Sequence, residues 1–230
     1  MDKSEADDPG RTIAANVESV RQRLAAACKR SGREISTVKV VAVTKNFPAE
    51  AVRMAFQSGL RHFGENRVQE AQAKYAELGD IRSKLTLHFI GHLQTNKARD
   101  TVKTVDIIQS VDSLRLANLL NGNATKKMPV LIQVNIAWED SKYGFSVDDL
   151  DASVKAIEEL PNLELLGLMT IAPAVDDPEK VRPVFRKLRD LNERFGFKEL
   201  SMGMTDDFEV AVEEGATMVR IGRAIFGERS

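Results

Sequence analysis

The chain has 230 residues, of which 43% are hydrophobic and 29% are charged, and its 33 basic and 34 acidic residues give a formal net charge of -1. This composition excludes an intrinsically disordered chain, and the balanced charge leaves no basic stripe for nucleic acid. Because no apolar run reaches the length of a membrane span and the acidic start is unlike a targeting peptide, a soluble cytoplasmic protein is expected.

Residues 1–10 are polar and are predicted to form a flexible tail. Apolar residues then recur at helical spacing over residues 11–31, which predicts a helix that ends at Gly32. From there on, short β-branched runs alternate with helical patterns. Strands are predicted at about 40–43, 61–66, 85–90, 106–111, 129–136, 163–170, 199–202 and 217–221, and helices at about 49–58, up to 78, 94–102, 113–120, 147–160, 178–195, 206–214 and from 223 onward.

Strict alternation of strands and helices predicts parallel strands, because each crossover must return over a helix. About eight such units is the number at which a sheet of this kind closes into a (β/α)8 barrel. We therefore predict one domain over residues 11–230, an α/β fold of the TIM-barrel type with an extra N-terminal helix. The alternative is an open doubly wound sheet, which would more readily explain a glycine-rich fingerprint after the first strand; Thr44-Lys45-Asn46 is not one.

Lys45 follows the first apolar strand directly, and Pro48 then opens the next helix. A lysine at the rim of a buried core is partly desolvated, which can lower the pKa of its amine. That is what an amine needs in order to attack an aldehyde and hold a Schiff base. The competing interpretation is a solvated lysine in a loop, and the residues around Lys45 alone do not decide between the two.

In a barrel the chemistry gathers at the carboxyl ends of the strands, so residues at those ends are candidates for a site. They are Lys45, Asn66, His88, Gly91, His92, Ser110, Asn135, Met169, Thr170, Ser201, Gly203, Arg220 and Gly222. The last two strand ends, where barrels commonly hold a phosphate, offer the Ser201 hydroxyl, glycines and the amides of Gly222 and Arg223. Ordinary glycine turns are the alternative interpretation.

Arg220 alternates with Met218 on one face of the last strand. A guanidinium in a buried strand is costly unless its hydrogen bonds are accepted, and either a structural carboxylate or the ring nitrogen of a ligand could accept them. No metal site is predicted. His88 and His92 lie on either side of Gly91 at a strand end rather than on one helical face, and no further ligand occurs at a familiar spacing.

A lysine, a phosphate cradle and a buried arginine together suggest pyridoxal 5′-phosphate. Several stretches from about residue 12 to the end carry a more specific signal: AVTKNFP, HFGENRVQEAQAK, LHFIGHLQTNKAR, IQSVDS, GLMTIAP, LSMGMTDDFEVAVEEGAT and VRIGRAIFG. In these stretches the chain resembles the YggS/PROSC family of pyridoxal-phosphate-binding proteins, also called pyridoxal phosphate homeostasis proteins. Thr205 departs from the serine that is usual in the family but keeps the hydroxyl.

The resemblance implies a barrel like the N-terminal domain of bacterial alanine racemase, with pyridoxal 5′-phosphate held as an internal aldimine on Lys45. It implies that Arg220 faces the pyridine nitrogen. It also implies Ser201, Gly203, Gly222 and Arg223 at the phosphate, and Asn66, His88 and Met169 around the ring. The family is regarded as non-enzymatic and takes part in vitamin B6 and amino-acid homeostasis, so the resemblance implies a cofactor carrier with apo-enzymes or amino acids as partners.

The alternative function is a PLP-dependent enzyme with weak racemase- or transaminase-like activity. An arginine beside the pyridine nitrogen disfavours its protonation and makes the ring a poorer electron sink. Alanine racemase also uses a second base, a tyrosine from an added β-domain, and no motif places Tyr75 or Tyr143 at the lysine. A further alternative is a phosphate-sugar barrel enzyme with Lys45 as its Schiff-base lysine. A monomer is expected, because alanine racemase dimers use the domain that this chain lacks.

Overall fold

The computed structural model describes residues 9–136 and 143–228. Its first element is helix α1, Pro9–Arg30. The predicted tail, residues 1–10, lies outside the described residues except for Pro9 and Gly10, which belong to α1. Val17, Val20 and Leu24 recur at helical spacing along α1 and are buried, as expected for an amphipathic helix that covers the barrel.

Eight parallel strands follow one another around a closed barrel in the order of the chain. They are β1 (Lys39–Val43), β2 (His62–Glu65), β3 (Thr86–Phe89), β4 (Ile107–Val111), β5 (Met128–Gln133), β6 (Leu163–Met169), β7 (Glu199–Ser201) and β8 (Met218–Ile221). Closure is made by β1, which pairs with β2 on one side and with β8 on the other. The predicted (β/α)8 barrel is therefore confirmed.

The helices surround the strands. After α1 they are α2 (Ala49–Gln57), α3 (Val68–Ala76), α4 (Gly79–Arg82), α5 (Ala98–Thr104), α6 (Leu114–Asn123), α7 (Leu150–Glu158), α8 (Arg182–Arg194), α9 (Phe208–Glu213) and α10 (Arg223–Phe226). The short α4 is not predicted by the sequence. The helices expected from about 94 and from 178 begin as 3-10 turns, Thr95–Lys97 and Pro178–Val181.

Helix α1 lies outside the strand–helix repeat and packs against α2, α9 and α10. The Asn16 side-chain amide donates a hydrogen bond to the carbonyl oxygen of Ile225 at 3.0 Å, and Arg23 forms an ion pair with Glu209. The start of the chain is thereby tied to the helices that follow β7 and β8. This is the predicted extra N-terminal helix.

Ser113 caps α6, since its Oγ accepts a hydrogen bond from the Leu116 N–H at 3.3 Å. The neighbouring Asp112 carboxylate has another partner, the Nδ1 of His92 at 2.8 Å. A serine hydroxyl in this position satisfies one of the N–H groups that a helix start leaves without a carbonyl. Ser113 therefore caps the helix, and the Asp112 carboxylate contacts His92 at the mouth of the barrel.

The core has two layers. Large apolar side chains such as Phe63, Phe89 and Phe185 are fully buried in the hydrophobic core. The barrel interior is partly polar, because Ser201 Oγ on β7 bonds to Gln109 Oε1 on β4 at 2.6 Å, and these strands are not neighbours in the sheet. Within the described residues, no helix combines the length and the apolar character that crossing a membrane requires.

Candidate ligand-binding site at the carboxyl ends of the strands

A cavity of about 390 Å³ opens at the carboxyl ends of the strands, and its volume lies within the range of small-molecule sites. The residues predicted to bind the cofactor that line it are Lys45, Asn66, Arg220, Gly222 and Arg223, and the strand-end candidates Gly91 and His92 line it as well. Lys45 follows β1 and Arg220 lies on β8, and the pairing of Val41 with Arg220 makes these strands neighbours. Barrel closure thus brings together a lysine and an arginine that are far apart in the chain.

Lys45 is half-buried in a tight turn. The Thr44 carbonyl oxygen accepts a hydrogen bond from the Phe47 N–H at 3.0 Å and closes this turn. Asn46 has a φ of 66°, in the left-handed region that asparagine tolerates better than most residues. Its N–H donates to Glu70 Oε1 at 2.5 Å. The backbone on both sides of Lys45 is therefore held, which fixes the base of the lysine side chain.

Lys74 of α3 holds the same turn from below. Its Nζ donates to the Thr44 carbonyl oxygen at 2.6 Å, to Glu65 Oε1 at 2.7 Å and to Glu70 Oε1 at 2.9 Å. Three partners match the three N–H donors of an ammonium group. Lys74 is 6% exposed and Glu65 is 0% exposed, so this is a buried ion pair that joins the ends of β1 and β2 to α3.

The electrostatics of this cluster are set by burial. Burial raises the pKa of the Glu65 carboxyl, while the hydrogen bond and the charge of Lys74 act in the opposite direction. Glu65 Oε1 also accepts a hydrogen bond from the Thr44 hydroxyl at 2.7 Å, whereas Glu65 Oε2 has no partner among the described residues. Burial raises the pKa of the nearby Tyr75 phenol, which is therefore neutral. The Lys74 ammonium group therefore offsets part of the cost of burying the Glu65 carboxylate.

Arg220 is 4% exposed, and two acceptors hold its guanidinium. Nη1 donates to Ser201 Oγ at 2.6 Å and Nη2 donates to the Thr170 carbonyl oxygen at 2.8 Å. Burial lowers the pKa of Arg220 to about 10, against the opposing charge of Asp207, so the group is charged at neutral pH. Within residues 9–136 and 143–228, Arg220 forms no ion pair with a carboxylate. It is held instead by neutral acceptors at the cavity wall.

The other residues predicted to bind the cofactor do not line this cavity. His88, Met169 and Ser201 are each 0% exposed, and none is among the described residues that line it. Gly203 has a φ of 89°, and a Cβ there would lie 2.5 Å from the Cβ of Ala211. Glycine is needed at this position because α9 approaches closely. Direct contact of these residues with a ligand stays a prediction.

Gly222 is the residue before α10, where the first N–H groups of a helix have no carbonyl partner within it. The Arg223 side chain is turned to Asp206, because Nη2 donates to the two carboxylate oxygens at 2.5 Å and 2.6 Å. The Arg223 guanidinium is therefore engaged by Asp206, and the predicted role of the Arg223 backbone amide stays a prediction. An adjoining cavity of about 320 Å³ shares Lys45, Gly222 and Arg223 with the first, so open space extends from the lysine along α10.

His92 and Tyr143 form one side of the mouth. Their rings stack with centroids 3.5 Å apart, and the Nδ1 of His92 lies 2.8 Å from Asp112 Oδ2. Tyr143 is 55% exposed and lines the same cavity as Lys45. Sequence reasoning did not place Tyr143 here, because no motif encodes the course of the loop that carries it. Within the described part of the chain, no group of three or more His, Cys, Asp or Glu side chains could hold a metal ion.

The comparisons with known proteins agree with this architecture. The family model described as "Alanine racemase, N-terminal domain" matches residues 11–230, so the class that the barrel and its lysine-bearing mouth define is the alanine racemase N-terminal domain family. A relative from Aquifex aeolicus is 44% identical over 91% of this chain and 95% of its own length. One from Escherichia coli is 42% identical over 94% and 97%. Both are named pyridoxal phosphate homeostasis protein, and the present chain belongs to this family.

Solved structures show the same relationship. PipY of Synechococcus elongatus, solved with PLP bound, has a TM-score of 0.82 and 38% identity, and the match covers 94% of this chain and 100% of PipY. An unknown protein from Bifidobacterium adolescentis has a TM-score of 0.89 and 36% identity over 98% and 97% of the two chains. Alanine racemase from Corynebacterium glutamicum, at 19% identity and a TM-score of 0.73 over 62% of that chain, shares the fold.

Proposed function

We propose that this chain is a carrier of pyridoxal 5′-phosphate that holds the cofactor covalently through the Lys45 amine and takes part in vitamin B6 and amino-acid homeostasis. The observation that carries the proposal is that Lys45, which follows β1, and Arg220, on the neighbouring β8, line one cavity. The relationship to PipY, whose structure was solved with PLP bound, supports the identity of the ligand.

The groups around the cavity fit those of the cofactor. Lys45 offers an amine for the aldehyde, and Arg220 offers guanidinium N–H donors for the pyridine nitrogen. The amides of Gly222 and Arg223 suit a phosphate, because helix starts present N–H groups to anions. Asn66 lines the wall and would contact the ring. A volume of about 390 Å³ accommodates a ligand of this size.

We propose that the deeper residues act through Arg220. Ser201 Oγ accepts a hydrogen bond from Arg220 Nη1 at 2.6 Å, so Ser201 would hold the guanidinium in place. His88 is connected to Ser201 through Gln109. For Met169 and Gly203, contact with the ring and the phosphate remains a prediction of the resemblance. This arrangement would give the site a polar floor below Arg220.

When bound, the cofactor supplies an electron sink for negative charge that develops on the α-carbon of an amino acid. The residues of this chain weaken that chemistry. A buried, charged Arg220 beside the pyridine nitrogen disfavours protonation of the ring, since two positive charges would lie together. These residues therefore favour binding of the cofactor over catalysis with it. We propose that the recipients are apo-enzymes that need the cofactor.

The proposed function predicts a visible, covalently bound chromophore. We expect the purified protein, after incubation with the cofactor, to absorb at the wavelength of a lysine-linked pyridoxal group, and borohydride to remove that band. Peptide mass mapping is then expected to find the reduced pyridoxyl mass on the peptide that contains Lys45. A protein that takes up no added cofactor would overturn the proposal and leave a barrel with an unknown phosphate ligand.

One observation favours a second candidate, an enzyme with weak racemase-like activity: the exposed Tyr143 phenol lines the cavity. A base at that position could serve the face of a substrate opposite Lys45. We expect the α-protons of added amino acids in deuterated water to exchange no faster than with free cofactor, followed by NMR, and Tyr143→Phe to change nothing. Faster exchange that Tyr143→Phe abolishes would assign enzymatic activity.

Location in the cytoplasm and a monomeric state remain predictions of the sequence.

A further inference from the structure

A single line of hydrogen bonds crosses the barrel interior and ends on Arg220. Its distances are 2.6 Å from Arg220 Nη1 to Ser201 Oγ, 2.6 Å from Ser201 Oγ to Gln109 Oε1, 2.8 Å from Gln109 Nε2 to His88 Nδ1 and 3.0 Å from His88 Nε2 to His62 Nδ1. We name these five side chains the interior chain. Gln109 lies on β4, across the barrel from β7 and β8, and does not line the cavity.

Arg220 determines the direction of every link. A guanidinium only donates, so Ser201 Oγ accepts from it and must pass its own proton to Gln109 Oε1. The Gln109 amide group is thereby oriented with Nε2 toward His88, whose Nδ1 accepts. A neutral His88 then carries its proton on Nε2 and donates to the Nδ1 of His62. All four hydrogen bonds run in the same direction from donor to acceptor, from the cofactor end of the barrel toward its amino end.

The charges around the two imidazoles agree with this direction. Burial lowers the pKa of His88 to about 3. Burial and then the charge of Lys39 lower the pKa of His62, while Glu199 opposes them. Lys39 is paired with Glu199, and Arg21 and Arg61 line the cavity at the amino end together with His62. Burial, with a smaller contribution from the charge of Lys39, therefore disfavours a charge on either ring, as the direction of donation requires.

A polar line inside a barrel is unusual, because bulky branched side chains normally fill this space. Buried polar groups that are only partly satisfied are costly, and here each group has its partner; Gln109 Nε2 also contacts Met218 Sδ at 3.5 Å. The guanidinium of Arg220 is held at two points, Ser201 Oγ and the Thr170 carbonyl oxygen. If the hydrogen bond to Ser201 is lost, the guanidinium can rotate about its remaining hydrogen bond to the Thr170 carbonyl oxygen.

We propose that Gln109 is a positioning residue for the cofactor site: through Ser201 it fixes the orientation in which the Arg220 guanidinium meets the ring nitrogen, an assignment that rests on the proposed function. Gln109 does not line the cavity. Its role is to give the Ser201 hydroxyl an acceptor, so that the serine oxygen presents a lone pair to Arg220. Cofactor affinity would then depend on an amide on the opposite side of the barrel.

The test uses Gln109→Met, which keeps the length of the side chain and removes both hydrogen-bonding groups. We expect the dissociation constant for pyridoxal 5′-phosphate to rise about 10- to 100-fold, the effect of one impaired hydrogen bond to a charged group. Ser201→Ala is expected to weaken binding similarly, and the double variant no further, because both changes interrupt one line. The control is Asn192→Leu, which removes a buried amide that bonds to Leu168 and Phe197 outside the interior chain and is expected to leave affinity unchanged.

Nitrogen NMR of the cofactor-free protein provides a readout that does not involve cofactor. We expect His88 to be neutral with its proton on Nε2, and expect Gln109→Met to abolish this fixed tautomer. A proton on Nδ1 of His88 in the unaltered protein would overturn the inference even if Gln109→Met does not fold. Unchanged affinity in Gln109→Met, or additive losses in the double variant, would overturn it as well. If the unaltered protein bound no cofactor, the proposed function would fail, while the tautomer would still report on the interior chain.

Discussion

Replacing Lys45 by alanine is expected to abolish the covalent chromophore completely while the barrel stays folded. In the proposed function the Lys45 amine attacks the aldehyde, and Arg223, Asn66 and Arg220 offer no amine that could replace it at the cavity. The bonds that shape the turn are made by the backbone of Thr44 and Asn46, and alanine keeps them. The change in the free energy of unfolding is therefore expected to stay within about 0.5 kcal/mol, the usual size for a rim position.

The measurements are the absorption spectrum with added cofactor, the pyridoxyl mass after borohydride, and urea unfolding. Lys103→Ala is the matched control, since this lysine is exposed on α5 and is expected to behave as the unaltered protein. A reduced pyridoxyl group found on another lysine in Lys45→Ala would remove Lys45 from the proposed role. Unfolding of Lys45→Ala would show that the lysine supports the barrel itself.

The strand–helix order was readable from the sequence because parallel barrel strands are buried on both faces and appear as continuous apolar runs between helical patterns. Each strand predicted from such a run is present, from Lys39–Val43 to Met218–Ile221. The ends of helices were less predictable. The α8 region begins with a 3-10 turn, Pro178–Val181, where Asp177 accepts a hydrogen bond from the Glu179 N–H at 3.0 Å, and the helical pattern alone does not distinguish the two kinds of turn.

The candidate site was partly predictable for a related reason. Residues at strand ends were expected to meet at the mouth, and Lys45 and Arg220 do so. Ser201 also ends a strand, but its side chain points into the barrel toward Gln109. Whether the last residue of a strand faces the mouth or the interior depends on strand tilt and stagger, which are properties of the closed barrel rather than of the local sequence.

No pattern in the sequence indicated the buried ion pair between Lys74 and Glu65. Glu70 and Lys74 stand at i,i+4 spacing on a helix, a pattern that normally indicates an exposed face. Lys74 is buried only because the Thr44 carbonyl and the end of β2 lie against α3, and both come from other parts of the chain. Through these contacts the Lys74 ammonium group joins the turn of Lys45 to the carboxylate of Glu65. The Lys74 side chain therefore contributes both to the stability of the barrel and to the position of Lys45.

Lys74→Met is therefore expected to lower the free energy of unfolding by about 3–5 kcal/mol, the usual loss when one partner of a buried ion pair is removed. Methionine keeps the length of the side chain, but Glu65 is left as a buried charge without a cation. Glu70 is partly exposed and is screened by solvent, so it adds little. Urea unfolding measures the loss, and Lys74→Met/Glu65→Gln is the control, because a neutral amide in place of Glu65 is expected to restore part of the stability. Equal losses in the single and double variants would show that the charge of Glu65 is not the cause.

The loss in Lys74→Met is also expected to depend on pH. Burial raises the folded-state pKa of Glu65 above its unfolded value, so between the two values the folded protein binds more protons than the unfolded chain. Stability is therefore highest below the unfolded pKa and falls as pH rises through the folded-state pKa. Removing Lys74 takes away the charge that opposes burial, which raises this pKa further and widens the window. The deficit of Lys74→Met relative to the unaltered protein is expected to grow as pH rises through the folded-state pKa of Glu65 and to shrink as pH falls below it. Lys74→Met/Glu65→Gln has no carboxyl at position 65 and is expected to show no such growth.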